Sequence, residues 1–557
     1  MSETNVKPDG DFNSGFKKKR SKALTSAVAI VAVAAAIAVG GWFWNSEQQR
    51  TNELVFATDV EPDTGLDPAQ DSNVAQSLIA RSYLESLTYQ EKDGAIGKWL
   101  ATDWQVSDDG RVYTFKLRDD VSFSDGTKFN AEAVKANVEY WVDPKTGFAD
   151  ANEAFGHFKS ARVIDDYTLS IDIGEPYADF LSFLAHPFAG IQSPAGLKRG
   201  LAINAQNGPI GTGPFIVKEW VKKSHVTLVR NENYNSAPAS SDHKGPAYVE
   251  QITYRFITDP VARFGALKNG EVQAIQTIPP ENFQEVASGE KFAIIDGVRA
   301  GIPVQLDLNI TKAPFNDLRV RKALRHAINV PASLQSIFNG SYKSFGGSLS
   351  PSTVFYDPQF ETAYGFDPEK ANALLDEAGW QQRDSEGYRV KDGVRLRVYA
   401  VIGYTPSPQE YALYDQIAGS AKLVGFEFAY EKLDNDQARQ VRSGWDYDLR
   451  KYYWGGPATA AVLYYMYHTD NIKTHYNGNG YSNPSLDGLI NQAAVTSDQN
   501  ARKQLYKDAQ KIISDEALAL PLFLEPLQYV YRKDLIEGFA AEPRTNQATF
   551  LDVKLVH

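Results

Sequence analysis

The chain has 557 residues, 43% of them apolar and 12% aromatic, with a formal net charge of −12 and no cysteine. That length calls for two or more domains, and that composition for a folded globule rather than a disordered chain. The acidic balance argues against nucleic acid as a partner, and the missing cysteine excludes disulfides, thiolate metal sites, a cysteine nucleophile and a lipidated cysteine.

Residues 17–22 read KKKRSK, and no charged residue follows from Ala23 to Ser46, a stretch of Ala, Val and Ile that closes on Trp42-Phe43-Trp44. About 20 apolar residues in a helix span a bilayer core, and a basic cluster stays on the cytoplasmic side. The expectation is a cytoplasmic basic tail over 1–22, a transmembrane anchor or signal segment over 23–46, and an extracytoplasmic globule beyond. Two readings stay open. The length and the aromatic triplet favour an uncleaved anchor at the extracytoplasmic face of a bacterial membrane. The alternative is a signal cut at one of several Ala-x-Ala sites, which would leave a secreted or periplasmic protein.

A short polar linker, Glu47 to Glu53, leads into a first strand at Leu54-Val55-Phe56-Ala57. Helical spacing of Val74, Leu78, Ile79, Tyr83 and Leu87 predicts a helix over 74–89. Trp104 and Val106 alternate before Asp108-Asp109-Gly110, and Tyr113, Phe115 and Leu117 alternate after it, which predicts a β-hairpin. The paired carboxylates at 108–109, and those at 119–120 and 165–166, read as turn residues rather than as an acid–base pair. Asn130 is placed to cap a helix, with Glu132 favourable in its first turn.

Gly211-Thr212-Gly213-Pro214-Phe215 is not a dinucleotide fingerprint, because the third glycine is missing and Pro214 lacks a backbone donor. Strands are predicted at 226–229 and 252–256, and an amphipathic helix at 317–328. A helix over 368–379 stops at Gly379, a strand covers 396–402, and a further helix covers 408–423. Strands follow at 426–433 and 447–454, and Asp498 caps the last long helix. Interleaved strands and helices make the class α/β or mixed α+β.

Several segments, read together and in order, carry a resemblance. They are WQVSDDGRVYTFKLRDDVSFSDGTKFNAEAV (Trp104 to Val134), GTGPF (Gly211 to Phe215), NENY (Asn231 to Tyr234), APFNDLRVRKALRHAIN (Ala313 to Asn329) and SNPSLDGLINQA (Ser482 to Ala493), with a helix ending at LPLF (Leu520 to Phe523). This set resembles the family 5 solute-binding proteins of bacterial ABC importers, which serve peptide and nickel uptake. The likeness runs from about Leu54 to Phe539. It implies a two-lobed periplasmic-binding-protein-like fold of the large class, with an extra subdomain in the first lobe and two crossover segments as hinge. The first lobe would cover 47–305, with the subdomain at roughly 85–205. The second would cover 306–524, and 525–557 would return to the first. It also implies a monomeric receptor, not an enzyme, that captures an oligopeptide or other small solute by closure and hands it to ABC permease subunits in the membrane.

Peptide-binding members carry an acidic residue after the Trp of a strand-end motif resembling GWGADYPDP, where it meets the peptide's α-amino group. Here the matching stretch is YYWGGPATAAVLYYMY (Tyr452 to Tyr467), the expected Asp falls on Pro457, and no carboxylate appears before Asp470. The ligand-binding candidates are therefore Tyr453, Trp454, Gly455 and Gly456 at that strand end, where glycines let a ligand approach the backbone. Tyr404 and Thr405 precede a helix. Glu61 and Asp63 follow the first strand. Asn309 lies near a predicted crossover. Each has a bland reading as packing, solvated loop or structural polar group. No catalytic residue, cofactor or protein-held metal is expected, since His468 and His475 stand alone in a loop-like stretch. The alternatives are a nickel–chelator complex or an oligosaccharide as solute, and a secreted hydrolase. The hydrolase is disfavoured by the absence of G-x-S-x-G and H-E-x-x-H.

Overall fold

The computed structural model describes residues 52–556 except 71–73, 149–153, 240, 242, 404–405, 456–457 and 543–544. The segments expected over 1–22 and 23–46, and the candidates Tyr404, Thr405 and Gly456, lie outside the described residues. Among the described residues no helix is long and apolar enough to cross a membrane. From Glu53 onward the chain forms one compact unit.

Two large sheets organise it. The first has seven strands in the order Phe292–Val298, Pro526–Arg532, Ala274–Gln276, Glu53–Thr58, Gln251–Phe256, His225–Arg230 and Phe215–Val221. Its centre is parallel: Glu53–Thr58 runs alongside Gln251–Phe256, with Phe56 opposite Tyr254, and alongside Ala274–Gln276. Phe56 and Ala57, on opposite faces of that strand, are both wholly buried, as a strand covered on both faces requires. The second sheet has six strands in the order Lys343–Ser344, Ala519–Leu524, Val304–Leu308, Leu449–Tyr452, Arg397–Ile402 and Glu427–Lys432, the last three mutually parallel. Helices pack on both sheets, so the class is mixed α/β, and the fold is two-lobed with two crossover segments.

The sheets are joined twice. Phe292–Val298 belongs to the first sheet and Val304–Leu308 to the second, so residues 299–303 cross between them. Ala519–Leu524 and Pro526–Arg532 likewise lie in different sheets, and Glu525 alone separates them.

A separate four-stranded antiparallel sheet lies between the first and later strands of the large one. Its order is Ala101–Val106, Val112–Leu117, Thr168–Asp172 and Ser160–Asp165. The Asp108-Asp109-Gly110 turn closes its first hairpin, with Gly110 at φ 70°. Hydrogen bonds from Ser107 and Arg111 hold the Asp109 carboxyl down at about 2, the behaviour of a turn acceptor rather than a proton donor. The helix Ala131–Val142 starts at Asn130, whose side chain accepts from the Ala133 N–H at 2.9 Å.

The helix expected over 74–89 is shorter, ending at Ala80. The carbonyl groups of Ser82 and Tyr83 accept instead from Phe215 and Gly213, at 3.0 and 3.2 Å. This also explains GTGPF. A Cβ on Gly211 would collide with the Tyr83 carbonyl oxygen, and one on Gly213 would sit 2.6 Å from the Tyr83 carbonyl carbon. The glycines there serve close backbone packing, and that packing ends the helix.

Candidate functional site

The parallel strands of both large sheets aim their C-terminal ends at the crossovers, the usual place for a ligand in open α/β sheets. In the second sheet, Leu449–Tyr452 runs out into Tyr453, Trp454 and Gly455. Gly455 forms an isolated antiparallel bridge with Gly301 of the first crossover. The Ile302 N–H donates to the Trp454 carbonyl at 3.0 Å. Gly301 has φ 123°, and a Cβ there would run into the same carbonyl oxygen. Its N–H donates to Thr353 Oγ1 at 2.7 Å and its carbonyl accepts from the Ser350 N–H at 2.8 Å.

Trp454 is half-buried and stacks on Tyr465, with centroids 4.9 Å apart and planes at 18°. Tyr476 meets Trp454 edge-on at 5.1 Å and packs on Tyr465 at 5.3 Å. Tyr453 is exposed, with the Arg299 guanidinium 5.7 Å from its ring centroid. Tyr453, Trp454 and Gly455 are therefore brought together at the first crossover.

The remaining candidates sit elsewhere. Glu61 accepts from Trp220 Nε1 at 3.1 Å and from the Lys223 backbone N–H at 2.9 Å, at the far edge strand of the first sheet. Asp63 is exposed in the loop after it. Asn309 is fully buried, donating to the carbonyls of Tyr447 (3.1 Å) and Trp445 (3.4 Å) and accepting from Thr311 Oγ1 (2.6 Å). His468 bonds Asn491 at 3.1 Å, while the His475 carbonyl accepts from Arg450. No group of three or more metal-type ligands occurs among the described residues.

Sequence reasoning missed the charges at the crossovers. Arg299 Nη1 lies 2.9 Å from Glu525 Oε2, so an ion pair ties one crossover to the other, and the Arg299 N–H donates to the Glu525 carbonyl at 3.1 Å. Lys451 pairs with Glu410 in the first turn of the helix Pro408–Val424. Asp59, just beyond the first strand, stands 3.9 Å from Arg263. Burial raises the Glu525 carboxyl, against the pull of Arg299 and Lys451, and Glu410 and Asp59 add to the rise. Two signals point to them in hindsight. Glu525 is a lone carboxylate between two apolar strand runs, and Gly301 is a glycine between two others.

The smaller sheet's domain also reaches the second sheet's helices. Asp179 pairs with Arg502 at 2.6 Å, with both side chains over nine-tenths buried, and the Ala178 N–H donates to the Ala494 carbonyl at 2.8 Å. Beside this contact lies a space of about 400 Å³ bordered by Tyr177, Tyr464, Asn491 and the same Tyr465 that stacks on Trp454.

The family model described as bacterial extracellular solute-binding proteins, family 5 Middle, matches residues 95–474. The chain is 30% identical over 490 residues to the glutathione-binding protein GsiB of Escherichia coli O1:K1, covering 86% of this chain and 91% of that one. NikA from Brucella suis, solved in complex with Fe(III)-EDTA, is 27% identical with a TM-score of 0.78, over 90% of this chain and 99% of NikA. The ABC transporter-associated periplasmic binding protein DppA from Helicobacter pylori, in complex with the peptide STSA, shares the fold at 24% identity and a TM-score of 0.69, over 91% and 100% of the two chains.

Proposed function

The chain belongs to family 5 of the bacterial extracellular solute-binding proteins, and we propose that the solute it captures for its ABC importer is an oligopeptide or peptide-like molecule. It works outside the cytoplasm and binds its solute rather than transforming it. The first lobe ends near 305 and the second near 524, and the solute lies between them against Tyr453, Trp454 and Gly455. Closure delivers it to permease subunits in the membrane, with residues 23–46 as the anchor.

One observation carries this reading: an aromatic face, Trp454 on Tyr465, stands next to a backbone strip, Gly301 and Gly455, and to charges of both signs at the crossovers. Aromatic walls desolvate a ligand while backbone groups and a few charges orient it. An α-amino group has no counter-ion at 457, and it shares Glu525, Glu410 and Asp59 on the crossover side with their partners Arg299, Lys451 and Arg263. A ligand carboxylate competes with Glu525 for Arg299. GsiB is named for glutathione and DppA holds a peptide, both of this chemical type. NikA's Fe(III)-EDTA is polycarboxylate, so a metal–chelator complex is the second reading.

Calorimetric titration of the full chain with tetra-alanine and with glutathione tests the placement. Trp454→Ala is expected to weaken whichever peptide binds by roughly tenfold or more, as loss of a central aromatic anchor does. Unchanged affinity in that variant would remove the solute from this strand end.

A further inference from the structure

A second cavity lies wholly within the first lobe, between the end of the helix Val74–Ala80 and the C-terminal tail. It has a volume of about 290 Å³, enough for a small organic molecule. No residue of the crossovers borders it. Trp99, Phe215 and Phe550 form its apolar wall.

Its charges are unequal. Among the described residues, four carboxyl groups border it, Glu85, Glu91, Glu542 and Asp552, against one cation, Arg81. Arg81 is already committed. Its Nε pairs with Glu542 at 2.7 Å, Nη1 donates to Ser86 Oγ at 3.1 Å, and Nη2 donates to the Ala185 carbonyl at 2.8 Å. Its face covers Trp99 at 4.9 Å. Glu85, fully buried, accepts from the hydroxyls of Thr212 (2.7 Å) and Tyr234 (2.8 Å). Arg118, whose charge also acts on Glu85, pairs with Asp120 at 2.7 Å. With Glu542 met by Arg81 and the Glu85 carboxyl raised to about 7 by burial, Glu91 and Asp552 keep a surplus of negative charge beside aromatic rings.

A neutral apolar guest would leave that surplus uncompensated, and an anion would add to it. A cation with an apolar body meets both features, because aromatic faces and carboxylates each attract it. We propose that this cavity is a second ligand site, distinct from the cleft between the lobes, for a small organic cation of the arylalkyl-ammonium type.

The test uses the full chain with no cleft solute added, so its outcome does not depend on what the cleft binds. Benzylammonium is the probe and benzyl alcohol its neutral counterpart, both titrated by calorimetry. Benzylammonium is expected to bind one to one, roughly tenfold tighter than the alcohol. Ala541→Trp, which fills the cavity, is expected to abolish binding. The pair Glu91→Gln with Asp552→Asn, isosteric changes on two partly exposed acids, is expected to weaken benzylammonium roughly fivefold and leave the alcohol unchanged. Equal binding of alcohol and ammonium would reduce the cavity to an apolar void. No saturable binding, or full binding in Ala541→Trp, would overturn the site.

Discussion

Glu85 sits inside the first lobe with its two carboxylate oxygens taken by Thr212 and Tyr234, and burial lifts its carboxyl from 4.5 to about 7. The folded state therefore holds this proton more tightly than the unfolded chain does. Between those two values the folded state binds more protons, so stability falls as pH rises, by on the order of 3 kcal/mol across the interval. Glu85→Gln keeps the shape and removes the titration. Urea denaturation at pH 5 and pH 8 is expected to show a loss of stability in the parent chain that the variant largely lacks. An equal loss in both would mean that Glu85 stays ionised when buried. Single residues were also where the sequence was least legible. Glu61 and Asn309 are of types that bind ligands, yet each spends its polar atoms on the fold: Glu61 on Trp220 and Lys223, Asn309 on the Trp445–Tyr447 backbone. Residue type gives the capacity to bond, whereas the partner is set by tertiary packing.

At the scale of elements, local signals were reliable wherever a cap or a turn decides the matter. Asn130 and Asp498 each cap the helix that follows them, as their residue types suggest, and Gly379, at φ 87°, closes the end of the helix Pro368–Glu377. The helix after Val74 was misjudged because its apolar periodicity continues through Tyr83 and Leu87, while a distant segment, Gly213 to Phe215, takes the carbonyls that would continue it. The roles of Gly301 and Glu525 within the crossovers were equally hidden, since both acquire meaning only once two sheets are placed side by side. Gly301 is a sharp test of that arrangement. Gly301→Ala puts a Cβ onto the Trp454 carbonyl and forces a side chain to adopt φ 123°. The expected cost is about 2 kcal/mol in thermal or urea unfolding. Solute affinity should also fall, because the Gly301–Gly455 bridge sets the Trp454 strand end. An alanine variant of parent stability would show that the crossover adopts another path.

For the whole molecule, the question is what holds the two lobes together around a solute. The Asp179–Arg502 pair joins the smaller sheet's domain to the helix Gln499–Asp515 across 323 positions of sequence. Asp179→Asn leaves the buried guanidinium without its carboxylate, which is far costlier than removing both charges. The lobes are expected to part more readily in this variant. Small-angle scattering should show a larger radius of gyration, which the Asp179→Asn, Arg502→Met double variant partly restores. An unchanged radius in the single variant would mean that the pair does not govern closure. The central claim, a receptor for a peptide-like solute, is tested most directly by native mass spectrometry. The full chain would be mixed with equimolar di- to pentapeptides, glutathione and a ferric–EDTA complex. The account predicts one intact peptide or glutathione per chain, released unchanged on denaturation and lost in Trp454→Ala. Retention of the ferric complex alone, or recovery of cleaved peptides, would contradict it.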